Sequence, residues 1–330
     1  MIHYYQAPHS SKKKFYNHHQ EQLHSFFLHS CALFFRSRYR LFKRKNESIV
    51  DWIEPNNQPT AQAGLTWIGH STFLIEYNGI RILTDPIFGN ASFLFKRIAP
   101  PGIALQQLPK IDMILLSHNH RDHMDAWSLL QLRHHNPRIL VPSGDKAWFD
   151  RRGFDTVKES VWWDQQRYII NNQPVTITFL PAHHWSQRSL FDRNRSLWGS
   201  WLIQFDDGYT IYFAGDTAYA SHFAAIKERF PAIDVALLPI GPCEPHHTMK
   251  FSHMNARQAC RAFFDLRARM FIPMHWGTFY FGLDSFEQPI YQLMRSWHEY
   301  LLPPKQLQIL KFGQQWNFNK NMQLAQLQFY

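Results

Sequence analysis

Residues 111–123 constrain the fold of this chain more than any other stretch, because an apolar run there leads directly into a cluster of potential metal ligands. Residues 111–116 (IDMILL) have the length of a buried β-strand. Three histidines and an aspartate follow at once: His118, His120, Asp122 and His123. Imidazole and carboxylate groups suit zinc, and also iron and manganese. The stretch therefore predicts half of a metal site in the loop that follows a buried strand.

The spacing within this cluster allows two ions. Side chains two positions apart point the same way on an extended strand, so His118 and His120 share a face if the strand geometry continues. Asp122 and His123 come after a turn and reach the site from another side. Ions about 3.5–4 Å apart are usual in two-metal hydrolases. The alternative is a solvated, histidine-rich loop in a chain that contains 20 histidines.

Other predicted strands also end in a possible ligand. Residues 175–180 lead to His183 and His184, residues 209–213 lead to Asp216, and residues 270–273 lead to His275. Taken alone, the histidine pair is as compatible with packing as with ligation. An aspartate in a tight turn is often only a helix cap. These residues remain candidates on the local pattern.

The positive charge is concentrated at the N-terminus. The net charge is +10, and the first 50 residues hold nine lysines and arginines against two glutamates, a local charge of +7. The remaining residues are nearly neutral. A basic, aromatic N-terminal segment on an otherwise nearly neutral chain indicates binding to an anionic membrane surface first, and to nucleic acid second.

Within this N-terminal segment, residues 23–42 combine an apolar and aromatic half, 26–35, with a basic end. The segment is too short and polar to span a bilayer, which needs about 20 mostly apolar residues, and it does not resemble a secretory signal. Two interpretations stay open: an interfacial helix that inserts phenylalanines among acyl chains, or a helix packed on the domain. Residues 1–20 show no sustained period, and we expect them to be poorly ordered or loosely attached. Pro55 to Pro59 are typical of a linker, so we divide the chain into a basic extension with linker, 1–60, and a folded domain, 61–330.

Strand and helix patterns alternate along the body, which predicts an α/β domain. Asn78-Gly79 and Asp207-Gly208 are typical of hairpin turns, the first one joining residues 65–76 to residues 80–84. Further strand-like runs lie at 111–116, 139–141, 175–180, 201–205, 209–213, 235–239 and 270–273. Helical spacing occurs at 126–132, 223–230, 256–264 and 289–301.

A series of short motifs, in order from about residue 65 to 280, carries a family resemblance. They are residues 67–72 (WIGHST), 118–123 (HNHRDH), 181–185 (PAHHW), 197–201 (LWGSW), 213–217 (FAGDT), 239–241 (PIG), 244–245 (EP), 249–250 (MK) with His253, and 272–279 (IPMHWGTF). H-x-H-x-D-H after an apolar strand resembles the signature of the metallo-β-lactamase superfamily. The tryptophan-bearing motifs are narrower and resemble one branch of it, the N-acylphosphatidylethanolamine-hydrolysing phospholipase D family.

The resemblance implies a four-layer αββα sandwich, with two sheets face to face and helices outside. It also implies two divalent metal ions, with Zn²⁺ first and iron or manganese as alternatives. The implied ligands are His118, His120 and His184 for one ion, Asp122, His123 and His275 for the other, and Asp216 between them. The family register selects His184, next to Trp185, over His183.

The resemblance also implies the reaction. A phosphodiesterase of this family hydrolyses N-acylphosphatidylethanolamine to N-acylethanolamine and phosphatidic acid. Two cations lower the pKa of a bridging water enough to supply hydroxide for in-line attack. Asp122, as a proton relay, and Asp216, as the bridging carboxylate, are the implied catalytic residues.

The predicted substrate contacts are His253, Trp185 and Trp276. His253 matches a family histidine near the substrate entrance. The tryptophans that could wall an apolar acyl groove are Trp185, Trp198, Trp201 and Trp276, although aromatic residues at such positions are more often core. His70 is predicted either to support the metal ligands by hydrogen bonding or to be a satisfied, half-buried histidine.

Expected partners are a membrane phospholipid substrate, an anionic membrane surface and, from the relatives, a second copy of the chain. Three distant cysteines support neither a disulfide framework nor a thiolate zinc site and fit a reducing compartment. We therefore expect a cytoplasmic protein, peripheral on the inner face of the membrane. The alternatives are a nuclease or sugar-phosphate lactonase of the same fold, or a non-catalytic, membrane-surface metal-binding protein. A nuclease would be expected to carry a basic groove, and a non-catalytic protein would be favoured by a missing ligand.

Overall fold

The computed structural model of the chain describes residues 14–17, 49–54 and 63–318. Its first sheet has seven strands, in the spatial order β13-β1-β2-β3-β4-β5-β6. These strands are β1 Gly64–Gly69, β2 Thr72–Tyr77, β3 Ile80–Thr84, β4 Met113–Leu115, β5 Arg138–Pro142, β6 Val157–Ser160 and β13 Gln315–Asn317. The strands from β3 to β6 pair in parallel, and the other pairs are antiparallel.

The second sheet has six strands in the order β12-β11-β10-β9-β8-β7. They are β7 Gln165–Ile170, β8 Gln173–Leu180, β9 Ser200–Phe205, β10 Thr210–Phe213, β11 Val235–Pro239 and β12 Met270–Met274. The pairs within β7 to β10 are antiparallel, and β10, β11 and β12 are parallel. Both sheets are therefore mixed.

Helices cover the outer faces of the two sheets. They are α1 Ala126–Leu132, α2 Lys146–Asp150, α3 His222–Arg229, α5 Ala256–Leu266 and α6 Gln288–Glu299, whereas the short helix α4 His246–Met249 lines a cavity at one edge of the sandwich. Leu129 and Leu132 of α1 belong to the apolar cluster on the outer face of the first sheet. Phe263 of α5 and Trp297 of α6 stack on Phe271 of the second sheet. The predicted four-layer αββα metallo-β-lactamase sandwich is thus confirmed.

Strand β2 shows why the layers form. Phe73 and Ile75 join the core between the two sheets, whereas Leu74 joins the cluster beneath the helices. Successive side chains on a strand point to opposite faces, so a strand that is apolar at every position must be covered on both sides. The apolar, non-alternating strands of this chain therefore require the helical layers.

The predicted first hairpin needs correction. Residues 65–76 do not form one strand, because β1 and β2 pair antiparallel across a turn at His70 and Ser71. His70 has a φ of 55°, which breaks an extended strand. The turn at Asn78-Gly79 joins β2 to β3 as predicted, and β9 and β10 form the hairpin predicted at Asp207-Gly208.

The ends of several strands meet at one edge of the sandwich. Strands β8 and β10 both pair antiparallel with β9, so they run in the same direction, and β12 is parallel to them through β11. Their C-terminal ends carry the candidates His184, Asp216 and His275. Strand β4 of the facing sheet ends just before His118. The fold therefore brings together side chains that are far apart in the sequence.

Two short N-terminal pieces lie against this body. Phe15 packs on the core between the sheets, and its backbone N–H donates to the carbonyl of Asn194 at 2.8 Å. We expected residues 1–20 to be loosely attached, and for residues 14–17 that expectation is wrong. The segment 23–42 lies outside the described residues, and the division at residue 60 remains a prediction. No helix in the described part of the chain has the length and apolar character needed to cross a bilayer.

Candidate metal centre

All seven predicted ligands come together at this edge. His118, His120 and His184 form one set of converging donor atoms, and Asp122, His123 and His275 form a second set with His70. The candidate ligand atoms within each set lie within 4.8 Å of one another. Asp216 groups with His184 and His253. The arrangement therefore has the composition of two adjacent sites.

Hydrogen bonds fix the tautomers of three histidines. The Nδ1 atoms of His184 and His275 lie 2.8 and 2.9 Å from the carbonyl oxygens of Ser252 and Gly241, which can only accept. The Nδ1 atom of His123 lies 2.7 Å from Oδ2 of Asp85. Each Nδ1 atom therefore carries hydrogen and donates it. The Nε2 atom of each ring therefore faces the centre, the orientation that metal-bound histidines receive from such partners.

The first set is tightly clustered. Nδ1 of His120 lies 2.7 Å from Nε2 of His118 and 3.2 Å from Nε2 of His184. Burial, which disfavours a charged imidazole, lowers the pKa of His118 and His184 well below the usual value and that of His120 to about 4. These three side chains are neutral at pH 7, which is the form that binds metal.

The second set is built around Asp122. Its Oδ2 atom lies 3.4 Å from Nε2 of His123 and 3.9 Å from Nε2 of His275. Nε2 of His70 lies 3.0 Å from the same oxygen, and burial lowers the pKa of His70 to about 3. A neutral His70 therefore donates its hydrogen to Asp122. This contact agrees with the first of the two interpretations offered for His70.

Asp216 lies between the two sets. Its Oδ2 atom is 3.1 Å from Nε2 of His123 and 3.8 Å from Nε2 of His184, and its Oδ1 atom is 3.1 Å from Nε2 of His275. The preceding Gly215 has a φ of 59°, and a Cβ atom there would lie 2.4 Å from the Cβ of Ser117. Glycine therefore allows the Asp216 turn to approach the histidine loop closely.

The donor atoms fit divalent cations. Oδ1 of Asp216 and the Nε2 atoms of His123 and His275 are buried and make no well-formed hydrogen bond to any described residue, despite the short separations. Buried polar atoms without partners are costly, and a cation removes that cost. Burial opposes a charged His123, but the charges of Asp216 and Asp122 outweigh it and raise its pKa well above the usual value. A cation between these side chains would take the place of that proton.

Asp85 contacts a candidate ligand but was not predicted from the sequence. It is fully buried at the end of β3 and accepts from Nδ1 of His123 and from the backbone N–H and hydroxyl of Ser117 at 2.6–2.7 Å. It thus orients a candidate ligand from outside the metal-binding set. The sequence Thr84-Asp85-Pro86 marked only the end of a strand, although an aspartate at a strand end near this edge was an available signal.

A cavity of about 420 Å³ opens onto the centre. Its polar floor includes Asp122, Asp216 and the predicted contact His253. The predicted contact Trp185 is part of the wall, together with Phe95, Met249 and Phe281. The cavity therefore combines candidate metal ligands with an apolar wall.

The other candidate tryptophans lie in the core. Trp198 and Trp201 are fully buried. Trp276 is also buried, stacks on Trp67 with ring centroids 5.1 Å apart, and borders a smaller cavity of about 30 Å³ that adjoins the first one at Pro242, His275 and Phe281. The structure thus does not bring Trp276 to the wall that contains Trp185.

Comparisons with known proteins agree with this geometry. A family model described as the beta-lactamase superfamily domain matches residues 80–276. The chain is 36% identical over 261 residues to the N-acyl-phosphatidylethanolamine-hydrolyzing phospholipase D 1 of Caenorhabditis elegans, covering 73% of each protein. It is 39% identical over 246 residues to the protein of Saccharomyces cerevisiae named N-acyl-phosphatidylethanolamine-hydrolyzing phospholipase D, mitochondrial, covering 72% of this chain and 52% of that one.

A solved structure supports the fold. The metallo hydrolase Igni18 from Ignicoccus hospitalis superposes with a TM-score of 0.60 at 24% identity, over 77% of this chain and 97% of that one. At this identity the likeness concerns the fold alone. The family model and the relatives establish the affiliation. The chain belongs to the metallo-β-lactamase superfamily, in the N-acylphosphatidylethanolamine-hydrolysing phospholipase D family, and is a metal-dependent hydrolase.

Proposed function

We propose that the chain hydrolyses N-acylphosphatidylethanolamine to N-acylethanolamine and phosphatidic acid at a dinuclear metal centre. The observation that carries the proposal is the convergence of seven candidate ligands, four of which (His120, Asp122, Asp216 and His275) line a cavity with an apolar wall. The names of the nematode and yeast relatives support this substrate class. In a phosphodiester that carries acyl chains, the phosphate would bind at the candidate ligands and the acyl chains would contact the apolar wall.

The residues divide between two ions as the resemblance implies. One ion would be held by His118, His120 and His184. The other would be held by Asp122, His123 and His275, and Asp216 would contribute to both. When bound, two divalent cations polarise a phosphoryl oxygen and lower the pKa of a water molecule enough for it to act as a nucleophile. Zn²⁺ is the metal that we propose first, because imidazole and carboxylate donors suit it. Association of two chains stays a prediction.

Asp122 is the residue that we propose to move protons. It lines the cavity beside His123 and His275, and a cation held by these side chains would keep it ionised as a carboxylate at neutral pH. Neutral His70 donates to one of its oxygens and orients it. In the proposed reaction Asp122 accepts the proton of the attacking water and returns it to the ethanolamide oxygen, which leaves phosphorus as that P–O bond breaks.

The substrate test compares three substrates with the zinc-loaded, full-length chain. They are N-acylphosphatidylethanolamine in detergent micelles, a soluble aryl phosphodiester and single-stranded RNA. We expect N-acylethanolamine and phosphatidic acid from the lipid. Cleavage of RNA without cleavage of the lipid would favour a nuclease. Failure on all three substrates by a metal-loaded protein would favour the non-catalytic alternative.

The metal test replaces Asp216 by Asn. Because this carboxylate lies between both sets, we expect the wild-type chain to hold close to two metal ions and the variant to lose much of the second ion and nearly all turnover. Elemental analysis of purified protein, after dialysis against a weak chelator, measures the content. Asp206→Asn is the control, because Asp206 is an exposed surface residue paired with Arg167. An active wild-type preparation without bound transition metal would refute the dinuclear proposal.

A further inference from the structure

Large apolar side chains are exposed beside the mouth of the cavity. Phe93 is 84% exposed, and Leu190 and Phe191 are 80% and 84% exposed. Phe93 borders a second cleft of about 440 Å³ together with Arg121, Trp127 and Arg188, and this cleft shares Ala91, Ser92 and Arg121 with the metal-centre cavity. We call Phe93, Leu190 and Phe191 the apolar tips. They lie on two different loops.

The first loop is ordered by its own hydrogen bonds. The hydroxyl oxygen of Ser92 accepts from the backbone N–H groups of Leu94 and Phe95 at 3.2 and 3.1 Å. Nearby, the side-chain oxygen of Asn90 accepts from the N–H of Arg97 at 2.8 Å. This turn directs Phe95 to the cavity wall and leaves Phe93 in solvent. The exposure of Phe93 is therefore built into the loop.

The second loop is held in the same way. Oδ1 of Asp192 accepts from the N–H groups of Arg188 and Ser189 at 3.0 and 2.8 Å, which closes the turn that presents Leu190 and Phe191. The guanidinium of Arg188 anchors the loop to the carbonyl oxygens of Asn119 and Met124, within and beside the histidine loop. The second pair of apolar tips is thus fixed relative to the metal centre.

The charge around the tips is positive. Lys96 and Arg121 are exposed, and Arg121 donates to the carbonyl of Arg188 at 3.2 Å. The guanidinium of Arg193 lies 5.1 Å from the ring of Trp185 on the cavity wall. The acidic side chains on these loops and the adjoining helix are Asp192 and Asp125, and both accept internal hydrogen bonds. Lys96, Arg121, Arg188 and Arg193 outnumber these two carboxylates, so the net charge of this surface is positive.

We propose that Phe93, Leu190 and Phe191 insert into the interface of an anionic bilayer and hold the mouth of the metal-centre cavity against it. Apolar side chains at loop tips gain free energy when they leave water for the acyl boundary, and adjacent arginines and lysines attract anionic headgroups. The inference rests on the proposed function, because a substrate that stays in a bilayer requires such an orientation.

The arrangement favours a bilayer over a protein partner. Protein interfaces have a closely packed core that is depleted in charged residues, whereas here the apolar groups are separate projections with cations between them. Separate projections of one or two side chains each can insert into a fluid bilayer, which needs no shared groove on the protein. The tips would enter the lipid while the cavity between them faces its surface.

The first test measures vesicle binding by the full-length chain without any substrate. Phe93→Ser with Phe191→Ser should reduce binding to phosphatidylcholine vesicles containing phosphatidylglycerol by about tenfold or more, since two buried phenylalanines are lost. Ile169→Ser is the matched control. Ile169 is 65% exposed, and its hairpin turn contacts Gly79 and Asp112, at the opposite end of the strands from the metal centre.

A second measurement reports on this surface independently of the N-terminal segment. In a Cys31→Ser chain the other cysteines, Cys243 and Cys260, are buried. An environment-sensitive fluorophore on Phe191→Cys should shift to the blue on vesicles, and the same label on Ile169→Cys should not. Equal shifts at both positions, or none at 191, would overturn the inference.

Activity separates this inference from the proposed function. The double variant should lose about tenfold activity on N-acylphosphatidylethanolamine in vesicles and keep its rate on a soluble aryl phosphodiester within about twofold. A wild-type chain that binds vesicles through these tips but cleaves no lipid would contradict the proposed function alone. Unchanged vesicle binding by the double variant overturns the inference, and loss of a dimer in that same variant would assign the tips to a contact between two copies.

Discussion

The side-chain amide of Asn17 donates a hydrogen bond of 2.8 Å to the backbone carbonyl of His184, across 167 positions of sequence. Its Oδ1 atom accepts from the indole N–H of Trp198 at 3.1 Å. Asn17 therefore joins an N-terminal piece of the chain to a candidate metal ligand and to a fully buried tryptophan. The contact links the metal centre to a residue far outside the region that the family model matches, which begins at residue 80.

Asn17→Ala should weaken metal binding, because the loop that presents His184 loses a hydrogen bond that fixes it. Changes in groups that orient a ligand commonly cost 10–100-fold in metal affinity, and we expect roughly tenfold here. Asn17→Asp should have a similar effect, since it keeps the acceptor for Trp198 and loses only the donor to His184. Competition with a chromogenic chelator measures the affinity.

Tyr16→Ala is the control for this change, since Tyr16 is the neighbouring residue and is exposed. If Asn17→Ala lowers the unfolding temperature but leaves metal affinity at the wild-type value, Asn17 only packs the N-terminus on the body.

His184 and His183 provide a test of register. His184→Ala should abolish turnover, because Nε2 of His184 faces the centre. His183→Ala should leave a large fraction of it, because His183 lies near His222, where it helps burial to lower the pKa of His222 to about 3. Turnover on a soluble phosphodiester and metal content of both variants decide the matter. The reverse order of effects would mean that the ligand assignment on this loop is shifted by one residue.

The strands that deliver the ligands could be predicted because each is an apolar run that ends in a candidate ligand. The helix Ala126–Leu132 and the strand Val235–Pro239 have the predicted bounds. The layering and the choice of His184 over His183 needed the family resemblance. Strand β7 was not predicted, because its residues Gln165, Gln166 and Arg167 give it a polar start and it lies at the edge of a sheet, where apolar patterning is weak.

The supporting residues could not be predicted from local patterns. Asp85 acts on His123, and Asn17 on His184, through contacts that only the folded chain creates. The turn at His70 places a non-glycine residue at positive φ, which sequence patterns disfavour. Its backbone is instead fixed by the Thr278 hydroxyl, at 2.7 Å, and by the N–H of His275. Such long-range contacts decide the fine geometry of the centre.

Asp145 should make stability depend on pH. It is buried, accepts from the side-chain amide of Asn119 at 2.9 Å, and burial raises its pKa from 3.8 to about 7. Between these pH values Asp145 binds a proton in the folded state and not in the unfolded state, so its contribution to the free energy of unfolding falls as pH rises from about 4 to 7 and then levels off. Asp145→Asn should remove that decline, on the order of 2–4 kcal/mol.

Urea unfolding in chelator at pH 4.5, 6 and 8 measures this difference between variant and wild type. Asp150→Asn is the control, because Asp150 lies in the helix that follows Asp145 and its side chain is exposed and paired with Lys146. If the free energy of unfolding changes by the same amount between pH 4.5 and 8 in the wild type and in Asp145→Asn, Asp145 does not bind the extra proton.

The last prediction concerns the basic N-terminal segment. Removing residues 1–50 would also remove Phe15 and Asn17, which contact the body, so a deletion would mix membrane binding with folding. Replacing only the six basic residues by glutamine keeps those contacts: Arg36, Arg38, Arg40, Lys43, Arg44 and Lys45. Each cation near an anionic leaflet contributes up to about 1 kcal/mol, so we expect weaker binding to anionic vesicles, a smaller effect of added salt, and unchanged hydrolysis of a soluble phosphodiester. Cosedimentation with vesicles at matched salt measures the binding, and glutamines at the exposed body residues Arg295, Lys305 and Lys311 are the control. Equal binding by the wild type and the six-residue variant would assign the segment to packing, and loss of soluble-substrate activity would mean that these cations support the fold.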